Sequence, residues 1–198
     1  MLILILPVTS FSLELPEKDS IQSVIRNAGS DSVRAIRYLD LGDLYQQRNQ
    51  DSAIHYYKEA LELAKMNNYK SIEAKCYNHI GIIYYSRADY NKTLKYFEKS
   101  LQIKKIIGDK GGIANSYNNI GLIARKKGDL AKAMDDFQNA LKIRKELLDK
   151  TSENQKEKID ESLLKLGKAY MNIGNVQYQL GDYPKALKTY NSAITLYD

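Results

Sequence analysis

Hydrophobic and polar residues recur with a helical period along most of this chain. In one clear stretch, apolar or small residues are spaced i, i+3, i+4 and i+7 and share one helix face: Tyr77, Ile80, Gly81 and Tyr84. A polar turn ending at Asp89 follows, and the same spacing returns from Thr93 to Leu101. Because Asp is a favoured N-cap, the pattern predicts two helices joined by a turn, the second beginning after Asp89.

This helix pair recurs along the sequence. Gly81 lies 40 residues before Gly121, and Phe97 lies the same distance before Phe137. Aligned on these glycines, four copies appear, and each begins at a tyrosine: Tyr38, Tyr77, Tyr117 and Tyr170. A fixed period of this length is typical of proteins in which each helix hairpin stacks on its neighbours. The sequence therefore predicts an all-α solenoid of helix-turn-helix repeats.

A glycine lies in the middle of the first helix of each copy, where it costs about 1 kcal/mol relative to alanine. These glycines are Gly42, Gly81, Gly121 and Gly174. We expect close approach of the second helix to offset the cost, because that helix has a small residue at the matching place: Ala53, Thr93, Ala133 and Ala186. Aromatic residues at helical spacing are predicted to form the core: Tyr38, Tyr57, Tyr77, Phe97, Tyr117, Phe137, Tyr170 and Tyr190.

The copies divide the chain into predicted segments. The repeats are expected over residues 35–70, 74–110, 114–150 and 153–198, after a capping helix and linker over residues 13–34. Between the third and fourth copies the glycine spacing rises to 53 residues, which is an insertion of 13 residues. We expect a loop near Lys150, a capping box of Ser152 with Gln155, and an N-terminal extension of the fourth copy's first helix.

The first twelve residues differ from the rest, since an apolar stretch is broken by Pro7. This stretch is too short to span a bilayer, which takes about 20 residues, so no direct membrane span is predicted. Residues 1–12 are typical of a signal-peptide remnant, which favours an extracytoplasmic or periplasmic location over a cytoplasmic one. The alternative is an apolar N-terminus that is disordered or docked on a helix.

Composition narrows the class of partner. With 43% hydrophobic and 27% charged residues in 198, the chain is globular in class. Its net charge of +6 is spread along helix faces rather than gathered in a run, which favours acidic partners. Because Asp135, Asp136 and Glu146 interrupt the basic stretches, we expect no nucleic-acid binding.

Catalytic and metal-binding patterns are missing from the sequence. The single cysteine, Cys76, excludes an internal disulfide and a cysteine zinc site. The two histidines, His55 and His79, are not spaced for a metal site or a catalytic triad, and no glycine-rich phosphate loop occurs. We therefore predict no enzyme activity, no cofactor and no bound metal.

The recurring residues resemble those of the tetratricopeptide repeat family. Its pattern of aromatic, Leu-Gly and Tyr on the first helix, then Ala, aromatic and Ala on the second, is met in the second copy by Tyr77, Ile80, Gly81, Tyr84, Thr93, Phe97 and Ser100. In the third and fourth copies, Ala124 and Gln177 replace the second tyrosine of the first helix. The period of 40 is similar to the long variant in kinesin light chains and bacterial peptide-responsive regulators. The resemblance implies a right-handed superhelix and a protein-interaction module.

One face of each first helix is predicted to line a concave groove, because the core positions fix the phase of that helix. The groove residues expected from this phase are Asn78, His79, Ile82, Tyr85, Asn118, Asn119, Leu122, Arg125, Asn172, Asn175 and Tyr178. Three lysines are expected to join them and attract carboxylates: Lys75, Lys126 and Lys168. The resemblance implies that Asn119 and Asn172 bond to the backbone of a bound peptide.

Two functions follow as hypotheses. The first is a non-catalytic module that binds an extended, acidic peptide of a protein partner, as the sensory input region of a longer bacterial signalling protein. The alternative is a structural self-assembly domain that forms a homodimer through the last helix face, at Ala193, Ile194 and Tyr197.

Overall fold

A computed structural model of the chain describes residues 27–150 and 156–196, together with Ser23 and Ile25. Eight α-helices are bounded within these ranges, and no strand occurs there: α1 (Asp31–Tyr45), α2 (Gln50–Met66), α3 (Lys70–Ser86), α4 (Tyr90–Ile106), α5 (Lys110–Lys126), α6 (Leu130–Leu148), α7 (Lys156–Gln179) and α8 (Tyr183–Ile194). The all-α prediction is confirmed. No helix in the described ranges is long and apolar enough to cross a membrane.

Each helix packs on the helix before it and the helix after it in the sequence. The closest pairs are α1 with α2, α3 with α4, α5 with α6, and α7 with α8, and each pair also contacts the next. Contacts between helices further apart are few. The described chain is therefore a linear stack of four hairpins, which is the geometry of a solenoid.

The turns between helices use the expected capping chemistry. Asp89, Asp129 and Asp182 each accept a hydrogen bond from the backbone N–H three residues later, and Asp109 caps α5 in the same way. The residue before three of these caps is a glycine with a positive φ, whereas Ala88 adopts a φ of 57° before Asp89. Asn and Gly tolerate this left-handed conformation more readily than alanine, so the turn at Ala88 is the more strained.

An aromatic ring of the second helix lies against the glycine of the first helix in every hairpin. A Cβ atom on Gly81 would lie 2.6 Å from the ring of Phe97, and one on Gly121 would lie 2.9 Å from the ring of Phe137. Tyr57 and Tyr190 crowd the other two glycines in the same way. The predicted close approach is therefore present. The aromatic ring occupies the space, rather than the small residue that the sequence suggested.

Burial of the aromatic residues differs between the two helices. Tyr57, Phe97 and Phe137 of the second helices are fully or almost fully buried, and so is Tyr77 of α3. The remaining aromatic residues predicted for the core are half-buried: Tyr38, Tyr117, Tyr170 and Tyr190. The core prediction is therefore correct for the ring that faces the glycine in three hairpins, and for the tyrosine of the first helix it is fully correct in α3 alone among the described helices.

Helix α7 differs from the other first helices in length. It has 24 residues, whereas α3 and α5 have 17 each. The additional residues lie at its N-terminal end, beside the long connection after α6. Several predictions fall outside the described residues: the signal remnant at 1–12, most of the capping helix within 13–34, the capping box of Ser152 with Gln155, and Tyr197.

The glycine contact predicts the effect of one added methyl group. Gly81→Ala places a Cβ atom inside contact distance of Phe97, and overpacking of this kind costs about 1–3 kcal/mol. The gain in helix propensity is about 1 kcal/mol, so we expect a net destabilisation of up to roughly 2 kcal/mol. Urea unfolding followed by circular dichroism measures the difference.

Gly111→Ala is the matched control for Gly81→Ala. A Cβ atom there meets nothing nearer than the Asp109 carboxylate, at 3.8 Å, so only the propensity gain of up to about 1 kcal/mol remains. If both variants changed the free energy of unfolding by the same amount and sign, contact with Phe97 would not be the reason for glycine at position 81.

Candidate functional site

Two adjoining cavities lie on the face formed by the first helices. The apolar cavity, of about 230 Å³, is lined by Ile82, Tyr85, Phe97, Asn119, Leu122 and Ile123. The basic cavity, of about 290 Å³, is lined by Asn118, Leu122, Arg144, Lys165, Lys168, Met171 and Asn172. Leu122 belongs to both, so the two cavities form a continuous surface across α3, α5 and α7.

Half of the predicted groove residues come together at these cavities. They are Ile82, Tyr85, Asn118, Asn119, Leu122, Lys168 and Asn172. The others line neither cavity: Lys75, Asn78, His79, Arg125, Lys126, Asn175 and Tyr178. Contact of these residues with a ligand stays a prediction.

The asparagines differ in how much of their hydrogen-bonding capacity is used within the protein. Asn172 donates to the side-chain oxygen of Asn118 over 2.7 Å, which ties α7 to α5. Asn119 forms no side-chain hydrogen bond within the described part of the chain, and its amide lines the apolar cavity. An amide donates and accepts at once, so Asn119 is equipped to bond to both groups of a peptide unit.

His79 takes part in a polar cluster between the first two hairpins. The hydroxyl of Tyr57 donates to a carboxylate oxygen of Asp43 over 2.6 Å and also lies 2.9 Å from the side-chain oxygen of Gln46. The His79 ring stacks on Tyr57 with centroids 5.0 Å apart, and its Nδ1 lies 3.3 Å from the carboxylate of Asp43. His79 therefore contacts neighbouring helices rather than either cavity.

Asn175 has a structural partner as well, since Tyr190 donates its hydroxyl to the Asn175 side chain over 2.9 Å. Asn175 follows the glycine of α7, just as Asp43 follows the glycine of α1. In the two middle hairpins the aromatic residue is phenylalanine and the residue after the glycine is apolar, Ile82 or Leu122. The residue after the glycine is thus polar where the ring opposite is tyrosine and apolar where it is phenylalanine. This packing accounts for an asparagine at position 175 without a bound ligand.

The remaining predicted residues lie at other places on the first helices. Lys126 holds its ammonium 5.9 Å from the ring of Tyr85, and Tyr178 packs edge-on against Tyr183. The Nε atom of Arg125 is buried and has no hydrogen-bond partner among the described residues. These residues border the groove face without contributing to either cavity.

Arg144 and Lys165 line the basic cavity, although neither was predicted. Arg144 lies on the second helix α6, whereas all the predicted groove residues lie on first helices. Lys165 lies on α7, one turn before the predicted Lys168. Two sequence signals point to them: the repeat, since Lys104 lies 40 residues before Arg144, and helical spacing, since Lys165 lies three residues before Lys168 on the same face.

The predicted self-association face is partly buried. Ala193 is only 2% exposed, so it is not accessible to a second copy in this conformation, whereas Ile194 is 58% exposed. Two further apolar residues of α8 share the exposed surface, Tyr183 and Leu187. In the third hairpin the equivalent residues are half-buried in a cluster with Ile173 and Val176 of α7: Leu130, Met134 and Leu141. On α8 this apolar face is mostly exposed, and Tyr178 covers part of Tyr183.

Sequence comparison identifies the repeat. Family models described as tetratricopeptide repeat match residues 73–146 and, separately, residues 167–198. The chain belongs to the tetratricopeptide repeat family. Proteins of this family are generally non-catalytic interaction scaffolds, so this tetratricopeptide array is a protein–protein interaction module. No curated protein sequence matches the chain significantly.

Solved structures share the tetratricopeptide fold. BtubC (BKLC) from P. vanneervenii superposes with a TM-score of 0.76 at 20% identity, covering 90% of this chain and 71% of BtubC. The apo form of RapI gives 0.74 at 20% identity, covering 88% of this chain and 60% of RapI. MamA gives 0.63 at 16% identity, covering 90% of this chain and 85% of MamA. At these identities the likeness shows the fold alone.

The other chemistry-bearing groups of the tetratricopeptide array do not assemble into a centre. Within the described residues, no group of three or more His, Cys, Asp or Glu side chains is placed to hold a metal ion. Cys76 is buried, and burial raises the pKa of its thiol to about 12, so it stays a thiol at neutral pH.

The His79 cluster predicts a stability change with pH. Burial lowers the pKa of His79 below its ordinary value of 6.5, and Lys75 and Lys104 act in the same direction against Asp43. The unfolded chain therefore takes up a proton at a higher pH than the folded chain. We expect the free energy of unfolding to fall as the pH drops below about 6.5, until the folded His79 is protonated too.

Comparison with His79→Gln isolates this contribution. Urea unfolding between pH 5 and pH 8 measures the difference in free energy of unfolding between wild type and variant. The wild type should lose stability relative to the variant on acidification, and parallel profiles would show that His79 does not carry the effect.

Proposed function

We propose that the chain binds an extended peptide segment of a partner protein along α3, α5 and α7, without catalysing a reaction. The observation that carries the proposal is the pair of cavities joined at Leu122. The apolar cavity accommodates a hydrophobic side chain, while Asn119 at its edge is free to bond to the ligand main chain. Concave surfaces of stacked helix hairpins are extended, which suits an extended ligand.

Charge supports an acidic ligand. Arg144, Lys165 and Lys168 line the basic cavity beside the amides of Asn118 and Asn172. Of these three, Lys165 pairs with Glu161, whereas Arg144 and Lys168 make no ion pair with a described residue. Outside the cavity, acidic residues interrupt the basic surface, as in the pairs of Lys110 with Glu146 and Lys132 with Asp136, which favours an acidic peptide over a nucleic acid. The role as a sensory input region stays a prediction from sequence.

A peptide selection tests the proposal. Random dodecapeptides displayed on phage are selected on the immobilised chain, and the enriched peptide is synthesised and titrated by calorimetry. Asn119→Ala should weaken its binding about three- to tenfold, because the peptide group loses a hydrogen-bond partner. Since Asn119 has no internal hydrogen bond in the described part of the chain, the substitution separates binding from folding.

Asn139→Ala is the matched control, because Asn139 lies on α6 and bonds to the neighbouring Asp135. Its affinity for the enriched peptide should stay within twofold of wild type. Absence of any enriched peptide, or equal affinity in wild type and Asn119→Ala, would contradict binding at this groove.

The apolar face of α8 favours a second candidate function, self-association. We propose that a second copy covers the surface formed by Tyr183, Leu187 and Ile194, which are 59%, 62% and 58% exposed. The equivalent residues of the third hairpin are covered by the following first helix, so this face has the composition of a packing surface. Two copies related by a two-fold axis would bury it symmetrically.

Light scattering over a range of concentrations tests the homodimer. The wild type should be a dimer, and the double variant Leu187→Asp with Ile194→Asp should be a folded monomer, because a buried charge without a partner opposes association. Met66→Asp is the control, since Met66 is exposed on α2, far from this face in the sequence. A monomeric wild type at every concentration would reject self-association through α8.

A further inference from the structure

The exposed apolar residues of α8 lie in one stripe along the helix. Leu187 follows Tyr183 by four residues, and Ile194 follows Leu187 by seven, so the three side chains share one side of α8. A spacing of four and seven residues is typical of the seam between two packed helices. The stripe runs the whole length of α8, since that helix spans Tyr183–Ile194. Its shape therefore fits a second helix that lies along α8.

The corresponding residues of α6 show what kind of surface covers such a stripe. They are half-buried in one cluster with Ile173 and Val176 of the following helix α7. Counted from the glycine of each hairpin, these residues of α6 are Leu130, Met134 and Leu141. All three positions are apolar on α8 as well, so the stripe keeps the composition of a surface that an apolar helix face covers. Within the described ranges, no helix follows α8 to provide one.

Helix α1 of another copy, at the opposite end of the stack, is a poor cover for this stripe. Five residues before its glycine, each later first helix carries a small, buried residue: Cys76, Ser116 and Ala169. This position faces the preceding hairpin, since Ser116 accepts a hydrogen bond from Lys104 of α4. On α1 the position holds Arg37, whose side chain is 54% exposed and lies 3.8 Å from Asp40. Burial of this loose ion pair would cost desolvation that its attraction does not offset, which disfavours end-to-end stacking.

Helix α8 of a second copy offers an apolar stripe of the same length. A two-fold axis allows the two helices to run parallel or antiparallel. In a parallel pair, the positive N-terminal ends of both helices would meet, and Lys185 would lie beside Lys185 of the other copy. In an antiparallel pair, the N-terminal end of one helix lies beside the negative C-terminal end of the other. Charge therefore favours the antiparallel pair.

We propose that two copies pack α8 against α8 in antiparallel orientation, with Tyr183 of each copy against Ile194 of the other. The inference rests on the proposed self-association and specifies how the copies meet. Leu187 of both copies then lies near the two-fold axis, and α7 and α8 of the two copies form a four-helix junction. Each α8 thus provides for the other copy the cover that α7 provides for α6.

Disulfide cross-linking tests the orientation. Burial raises the pKa of the native Cys76 thiol, so introduced cysteines react without a background from it. In the double variant Tyr183→Cys with Ile194→Cys, antiparallel packing brings cysteines of different copies together, and oxidation should produce a covalent dimer. Each single variant should stay unlinked, because equal positions lie about 16 Å apart along an antiparallel pair. A disulfide needs Cα atoms within about 7 Å of each other.

Met66→Cys is the matched control for random collision, because Met66 is 80% exposed on α2. It should stay unlinked under the oxidation that links the double variant. Light scattering of each reduced variant checks that it still forms a dimer. Efficient linking of either single variant would show that equal positions meet, and the antiparallel orientation would be wrong although self-association through α8 stands.

A second measurement leaves every side chain of the interface unchanged. Wild-type chains with labelled isoleucine methyl groups are mixed with unlabelled chains, and an isotope-filtered NOE spectrum reports contacts between copies. The Ile194 methyl group should contact the Tyr183 ring of the other copy. A contact of Ile194 with Ile194 of the other copy would instead indicate the parallel pair. A dimer without any contact at Ile194, or a monomeric wild type, would overturn the pairing of α8 and self-association through this face together.

Discussion

The contact between a glycine of the first helix and an aromatic ring of the second determines how each hairpin closes. A side chain larger than hydrogen on Gly81 or Gly121 would overlap the ring of Phe97 or Phe137, so the two helix axes approach where the glycine is. The residue after each glycine then faces the edge of that ring. It is polar opposite Tyr57 and Tyr190, and apolar opposite the two phenylalanines. One packing contact thus decides whether the adjacent groove position is polar or apolar.

Contacts between hairpins repeat with the same regularity. A lysine near the end of α2, α4 and α6 lies over the tyrosine within the next first helix, at 6.0, 5.1 and 5.4 Å from the ring centroid in successive pairs: Lys65 over Tyr77, Lys105 over Tyr117, and Lys145 over Tyr170. Cation–π contacts of this kind contribute about 0.5–1 kcal/mol at exposed sites. Each of these contacts involves only neighbouring hairpins. The orientation of each hairpin, and of its groove face, is therefore set by the hairpin before it.

The features that could be predicted from the sequence are those set by residues within a single hairpin. Helical period, the N-caps at Asp89, Asp129 and Asp182, and the crowding at Gly81 each follow from residues within one hairpin. The groove residues are harder to predict, because their partners lie on other hairpins. Asn172 bonds to Asn118, 54 residues away, and His79 joins Tyr57 and Asp43 of the first hairpin. Periodicity shows which face such a side chain occupies. It does not show whether a neighbouring helix already uses its hydrogen bonds.

Regular repeats give a binding surface its shape, and departures from regularity give it distinct chemistry. In the middle hairpins the repeat places Ile82 and Leu122 at equivalent positions, so that part of the groove is apolar and uniform. Between the second and third hairpins, Lys104 donates to Ser116 of the following first helix. Arg144 occupies the same position one repeat later, but the counterpart of Ser116, counted from the glycine, is Ala169, whose side chain accepts no hydrogen bond. Arg144 donates to Asn115 instead and lines a cavity with Ser162 and Lys165. The same position is therefore a packing residue in one hairpin and a cavity residue in the next, and the side chain opposite decides which.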